Sequence, residues 1–118
     1  MSTSGELIVE SNDDLEIWSS IEVDFDMFKN LVISLEYINY DAHEYDYTLD
    51  MIIDKEDALE MAAFLHTELI NLPKVILKKF GVQSNLFVPS EVEKLFKEIM
   101  DFVLDCGVHY KLKRTGSE

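Results

Sequence analysis

A chain of 118 residues can bury roughly two thirds of its unfolded surface, enough for a core without metals or disulfides. Its 47% hydrophobic content excludes the disordered acidic class, which lacks the aliphatic residues needed to offset chain entropy. The formal net charge of −14 opposes direct binding to nucleic acid phosphate or to anionic lipid.

In chain order, residues 1–5 are a small polar lead-in and 115–118 a similar tail, and both are expected to fray around a single domain spanning 1–118. Residues 7–10 read as a short strand, 11–14 as a turn, and 15–23 as a mixed segment rich in β-formers, although Asp13 would equally cap a short helix there. Leu31, Ile33, Leu35 and Tyr37 then alternate with less apolar positions, as do Tyr45, Tyr47, Leu49 and Met51, which predicts a hairpin joined by a glycine-free loop over 39–44. The outer face of its second strand carries Glu44, Asp46, Thr48 and Asp50, joined by Glu36 from the first, so one face is apolar and the other acidic.

Asp54 is placed to cap a helix that the spacing of Leu59, Ala62, Ala63, Leu65, Leu69 and Ile70 carries to about Leu72. Pro73 suits the start of a second helix, through Lys79, with Gly81 as its stop. Ser90 and Glu93 form a capping box for a third, whose stripe of Val92, Leu95, Phe96, Ile99, Met100, Val103 and Cys106 ends at Gly107. Val108, Tyr110 and Leu112 alternate with His109, Lys111 and Lys113, a last strand with a basic outer face placed to pair with the acidic sheet. Strands, then helices, then one strand predict an α+β fold: an antiparallel sheet of N-terminal strands plus a C-terminal strand, with about three helices on one face.

The charge is regional. Fourteen of the 24 acids fall in the first 54 positions against one base, Lys29, whereas the remaining 10 acids face nine bases. The acidic half also holds seven of the thirteen aromatics: Trp18, Phe25, Phe28, Tyr37, Tyr40, Tyr45 and Tyr47. Carboxylates interleaved with tyrosine suit a basic partner, because charge steers the encounter while the rings supply apolar anchoring. Self-repulsion among so many like charges destabilises the fold, which favours a functional surface over a merely solvated one. The candidate partner-binding residues are Tyr40, Asp41, Glu44, Tyr45, Asp46 and Asp50.

Chemistry of other kinds finds little support. Asp41, His43, Glu44 and Asp46 are competent metal ligands by type, but they lack the spacing and central glycine of a calcium loop, and no metal site or cofactor is expected. His66 and Glu68, two apart on a helix, face apart. His109 shares its face with Lys111 and Lys113 and has no carboxylate in sequence to orient it. Cys106, the single cysteine, allows no intramolecular disulfide and reads as a buried core thiol. No phosphate-cradling or dinucleotide motif is present, and the expectation is a protein that is not an enzyme. No apolar run approaches the roughly 20 residues of a membrane helix, and no export signal precedes the domain, so a cytoplasmic location is expected.

In size, charge and element order the chain resembles the small, acidic, cysteine-poor α+β immunity proteins of bacterial toxin systems, including those of contact-dependent growth inhibition. The resemblance implies a cytoplasmic antidote that covers the active site of one cognate basic toxin domain, often a nuclease. The rival reading is a nucleic-acid mimic, whose carboxylates stand in for phosphates before several DNA-binding or defence proteins. A homo-oligomer built through the tyrosine-rich strands is a third.

Overall fold

In the computed structural model, residues 6–11, 17–81 and 88–116 are described. They form five strands, β1 (Glu6–Glu10), β2 (Ile17–Phe25), β3 (Leu31–Asn39), β4 (Tyr47–Ile53) and β5 (Lys111–Gly116), and three helices, α1 (Lys55–Phe64), α2 (Leu72–Phe80) and α3 (Pro89–Asp105). The strands make one antiparallel sheet in the order β1-β2-β3-β4-β5, the α+β architecture that the order of elements predicts.

Period-two alternation decides which face is covered. Ser19, Ile21 and Val23 of β2, Leu31, Ile33 and Leu35 of β3, and Met51 and Ile53 of β4 are all buried and turn to one side. The helices pack there, α3 chiefly against β2 and β3 and α2 against β1, with Val92, Phe96, Ile99, Val103, Leu72 and Ile76 filling the space between. In β1 the register steps from Leu7 opposite Glu22 to Val9 opposite Ile21. Ile8 is thus the extra residue of a bulge, and Ile8 and Val9 are both buried. No helix among the described residues is long and apolar enough to cross a membrane.

Several boundaries differ from the sequence reading. Residues 1–5, 12–16 and 117–118 lie outside the described residues, so the lead-in, most of the 11–14 turn and the capping alternative at Asp13 are not addressed; the β-rich segment that follows is β2. α1 stops at Phe64 rather than near Leu72, because His66 takes a left-handed φ of 57° and closes a Schellman turn, with Thr67 N–H donating to Ala62 O (2.9 Å) and His66 N–H to Ala63 O (3.1 Å). The apolar residues Leu69 and Ile70 fall in a separate 3₁₀ turn before α2.

α3 begins at Pro89, not at a Ser90 cap. Proline at the helix start needs no intrahelical N–H partner, and the Glu91 carboxylate accepts the Val88 N–H (3.2 Å), the half of a capping box that valine leaves possible. β5 begins at Lys111 instead of Val108, which is buried, and it runs on through Thr115 and Gly116, expected as tail, which pair with Thr48 and Tyr47. A Cβ on Gly116 would lie 2.5 Å from Asp46 O, so the close approach of the two backbones requires glycine.

Candidate partner-binding surface

The six candidate residues divide between two places. Tyr40, Asp41, Glu44 and Tyr45 are exposed in the β3–β4 connection, where residues 43–45 form a 3₁₀ turn and not the start of a strand. The connection closes on itself. Asn39 Oδ1 accepts the N–H groups of Asp41 and Ala42 (3.0 Å each), while Asp46 Oδ1 accepts the Asn39 N–H (2.7 Å) and Asp46 Oδ2 meets His43 Nδ1 (3.0 Å). The Asn39 N–H, with His43 beside it, holds the Asp46 carboxyl below its ordinary pKa. Asp46 therefore helps to build the loop, with its side chain 34% exposed. Among the described residues no three acids, histidines or cysteines converge to hold a metal ion.

Asp50 is elsewhere, in mid-strand on the sheet face that no described helix covers, about 10 Å beyond Tyr47 at the rise of a strand. That face is ordered by register. One row runs Leu7, Glu22, Ser34, Asp50, Lys113, and the next runs Glu10, Ser20, Glu36, Thr48, Thr115. Thr48, Asp50 and Glu36 lie on it as the alternation predicts, whereas Glu44 and Asp46, expected beside them, belong to the connection. In β5, Lys113 stands opposite Asp50, the one acid of β4, while Lys111 stands opposite Ile52.

Glu10, Glu22 and Glu36 are exposed, and Asp50 is partly so. Neither Glu22, Glu36 nor Asp50 forms an ion pair with a described residue. Asp50 Oδ1 instead accepts the Ser34 hydroxyl (2.6 Å). Between Glu22 and Glu36 the small side chains of Ser20, Ser34 and Thr48 leave a shallow depression. Glu10, Glu22, Ser20 and Ser34 were not among the candidates. For Ser20 and Glu22 the signal was their alternation, with Asp24, against Ser19, Ile21 and Val23, which assigns them to one face only after 17–25 is taken as a strand.

The tyrosines of the acidic half also divide. Tyr37 and Tyr47 stack at 4.9 Å on the helix-facing side, the Arg114 guanidinium lies 4.1 Å above the Tyr47 ring, and the Tyr47 hydroxyl donates to Glu93 (3.3 Å). Burial and the Glu93 charge push the Tyr47 phenol up to about 12. Tyr40 (54% exposed) and Tyr45 (59% exposed) are the more exposed of the four.

His109 is brought by the fold to a depression it shares with Asp54 and Asp57, carboxylates that its sequence neighbourhood lacks, although it bonds to neither. Burial pushes the Cys106 thiol up, as expected of a core cysteine. The described elements define an α+β protein with a two-layer body and one acidic sheet face that no described helix covers. No family model, curated protein or solved structure matches the chain.

Proposed function

We propose that this protein is an inhibitor of the immunity type, acting in the cytoplasm, which binds one basic toxin domain, a nuclease by class, and covers its active site with the uncovered sheet face. Glu22, Glu36 and Asp50 form the centre of that interface. Tyr40 and Tyr45, at the end of the same sheet, supply apolar contact at its margin together with Asp41 and Glu44.

The observation that carries this reading is the concentration of carboxylates on this face, among which Glu22, Glu36 and Asp50 form no ion pair with a described residue. Like charges at this spacing are mutually repulsive in the free protein, and a cationic surface would relieve that repulsion on binding. The depression on this face, about 80 Å³, is far below the roughly 300–1,000 Å³ of small-molecule sites, which suits contact with a macromolecule.

The test is affinity capture with the immobilised protein at low and then high salt. A single basic toxin domain, released by salt and inhibited at one-to-one stoichiometry, is the expected result. A set of unrelated DNA-binding proteins displaced by DNA would replace this reading with nucleic-acid mimicry, and an empty column would remove it.

A further inference from the structure

Two serines adjacent in sequence have opposite fates in this sheet. Ser19 is fully buried on the helix side and satisfied, its N–H donating to Ser11 Oγ (2.9 Å) and its hydroxyl to the Glu36 carbonyl (2.9 Å). Ser20 is almost as inaccessible, at 2% exposure, yet its hydroxyl makes no hydrogen bond with a described residue. A buried hydroxyl without a partner loses on the order of 1–3 kcal/mol of solvation. No side-chain oxygen sealed from solvent is left unsatisfied among the described residues, so the Ser20 hydroxyl opens outward, into the depression that it lines with Glu22, Ser34, Glu36 and Thr48.

The polarity of that depression is one-sided. Ser34 spends its proton on Asp50, at 2.6 Å, and so presents lone pairs to the depression. Glu22 and Glu36 stand on either side, diagonal neighbours across β2 and β3, because Ser34 is opposite Glu22 and Ser20 is opposite Glu36. Neither carboxylate is ion-paired with a described residue. Two carboxylates and a committed hydroxyl accept hydrogen bonds, and the Ser20 hydroxyl is free to accept another. A depression of about 80 Å³ holds several waters or the flat head of one side chain.

We infer that this depression is the seat of one arginine side chain of the partner, its guanidinium held between Glu22 and Glu36 above the hydroxyls of Ser20 and Ser34. The inference rests on the proposed reading of the uncovered face as an interface. Arginine fits better than lysine because its planar fork offers five donors in directions that reach both carboxylates and the floor together, whereas an ammonium offers three from a point. Arginine is also the cation most often found among the residues that dominate binding energy at interfaces.

The probes are N-acetyl-arginine amide and N-acetyl-lysine amide, titrated into the ¹⁵N-labelled protein and followed by amide shifts. The expected result is saturable movement of the Ser20, Glu22, Ser34 and Glu36 amides, at several-fold lower concentration for the arginine compound. Glu22→Gln and Glu36→Gln should each weaken it by about tenfold, the loss of one charge-assisted contact, with thermal unfolding showing that the fold is kept. Shifts spread equally over Asp41, Glu44 and Asp101, equal response to the lysine compound, or indifference to both substitutions would each overturn the seat. If the doubly substituted protein still captures a basic toxin domain in a salt-sensitive way, the seat is wrong and the immunity reading stands. If the arginine compound binds as described and no toxin is captured, the seat stands and that reading falls.

Discussion

The Tyr47 hydroxyl donates to Glu93 across 3.3 Å, tying the first residue of β4 to the N-terminal part of α3, while Arg114 of β5 covers the same ring. Three elements distant in sequence therefore meet on one phenol. Its pKa, raised from 10.0 to about 12, means that the folded state holds the Tyr47 proton more tightly than the unfolded chain does. The associated stabilisation is complete below pH 10 and is lost as the pH rises from 10 through 12. Thermal midpoints between pH 8 and 12 should fall more steeply for the native protein than for Tyr47→Phe; parallel curves would remove Tyr47 from the alkaline transition.

Asp46 acts in the opposite pH range. Its carboxyl is held low by the Asn39 N–H and by His43, so its contribution is present above the ordinary carboxylate pKa of about 3.9 and is lost as the pH falls through the lower folded value. Asp46→Ala should lower the melting temperature at pH 7, and the difference from the native protein should shrink on acidification. Asp46→Asn keeps an oxygen for the Asn39 N–H and should lose less.

Two side chains occupy left-handed backbone positions that glycine takes without strain, His66 at φ 57° and Lys29 at φ 67°. Lys29 lies within a turn that Asp26 closes through its carboxylate, which accepts the Phe28 and Asn30 N–H groups (2.9 and 3.0 Å). His66→Gly and Lys29→Gly should each stabilise the protein by about 0.5–1 kcal/mol, as relief of strain exceeds the added freedom of the unfolded chain. Urea midpoints should rise with an unchanged slope; a fall at either site would show that the side chain itself contributes there.

Charge on the uncovered face should oppose folding mildly and favour association. Removing it with Glu22→Gln and Glu36→Gln together is expected to raise the melting temperature at low salt, with the gain fading at high salt as the repulsion is screened. The same variant should associate more slowly with the captured partner. A lowered melting temperature would mean that the two carboxylates are satisfied within the chain after all.

Tyr40 and Tyr45 test the margin of the surface separately from its centre. Replacing each with alanine should leave stability within about 0.5 kcal/mol, since both rings are exposed. Dissociation of the captured partner should nevertheless quicken, because rim contacts of this kind act after the encounter. Unchanged dissociation would confine the interface to the sheet.

Repeating patterns of side chains made the elements legible before any coordinates. The stripe from Val92 to Cys106 could only be a helix buried on one face, and the alternation through Leu31, Ile33 and Leu35 only a strand with one face in the core, because both periods follow from backbone geometry alone. The regional charge was likewise a property of composition. Helix ends were less legible, since a proline at position 89 and a histidine in a left-handed conformation at 66 override the side-chain spacing. What tertiary structure alone decided was adjacency across strands. Glu22 stands beside Glu36, and Lys113 opposite Asp50, only because register pairs residues far apart in sequence, and that register is set by turn geometry and by the joint burial of both strands. Asp46, one carboxylate among many in the sequence, was engaged in the loop by a single backbone N–H that the tertiary structure brought within 2.7 Å.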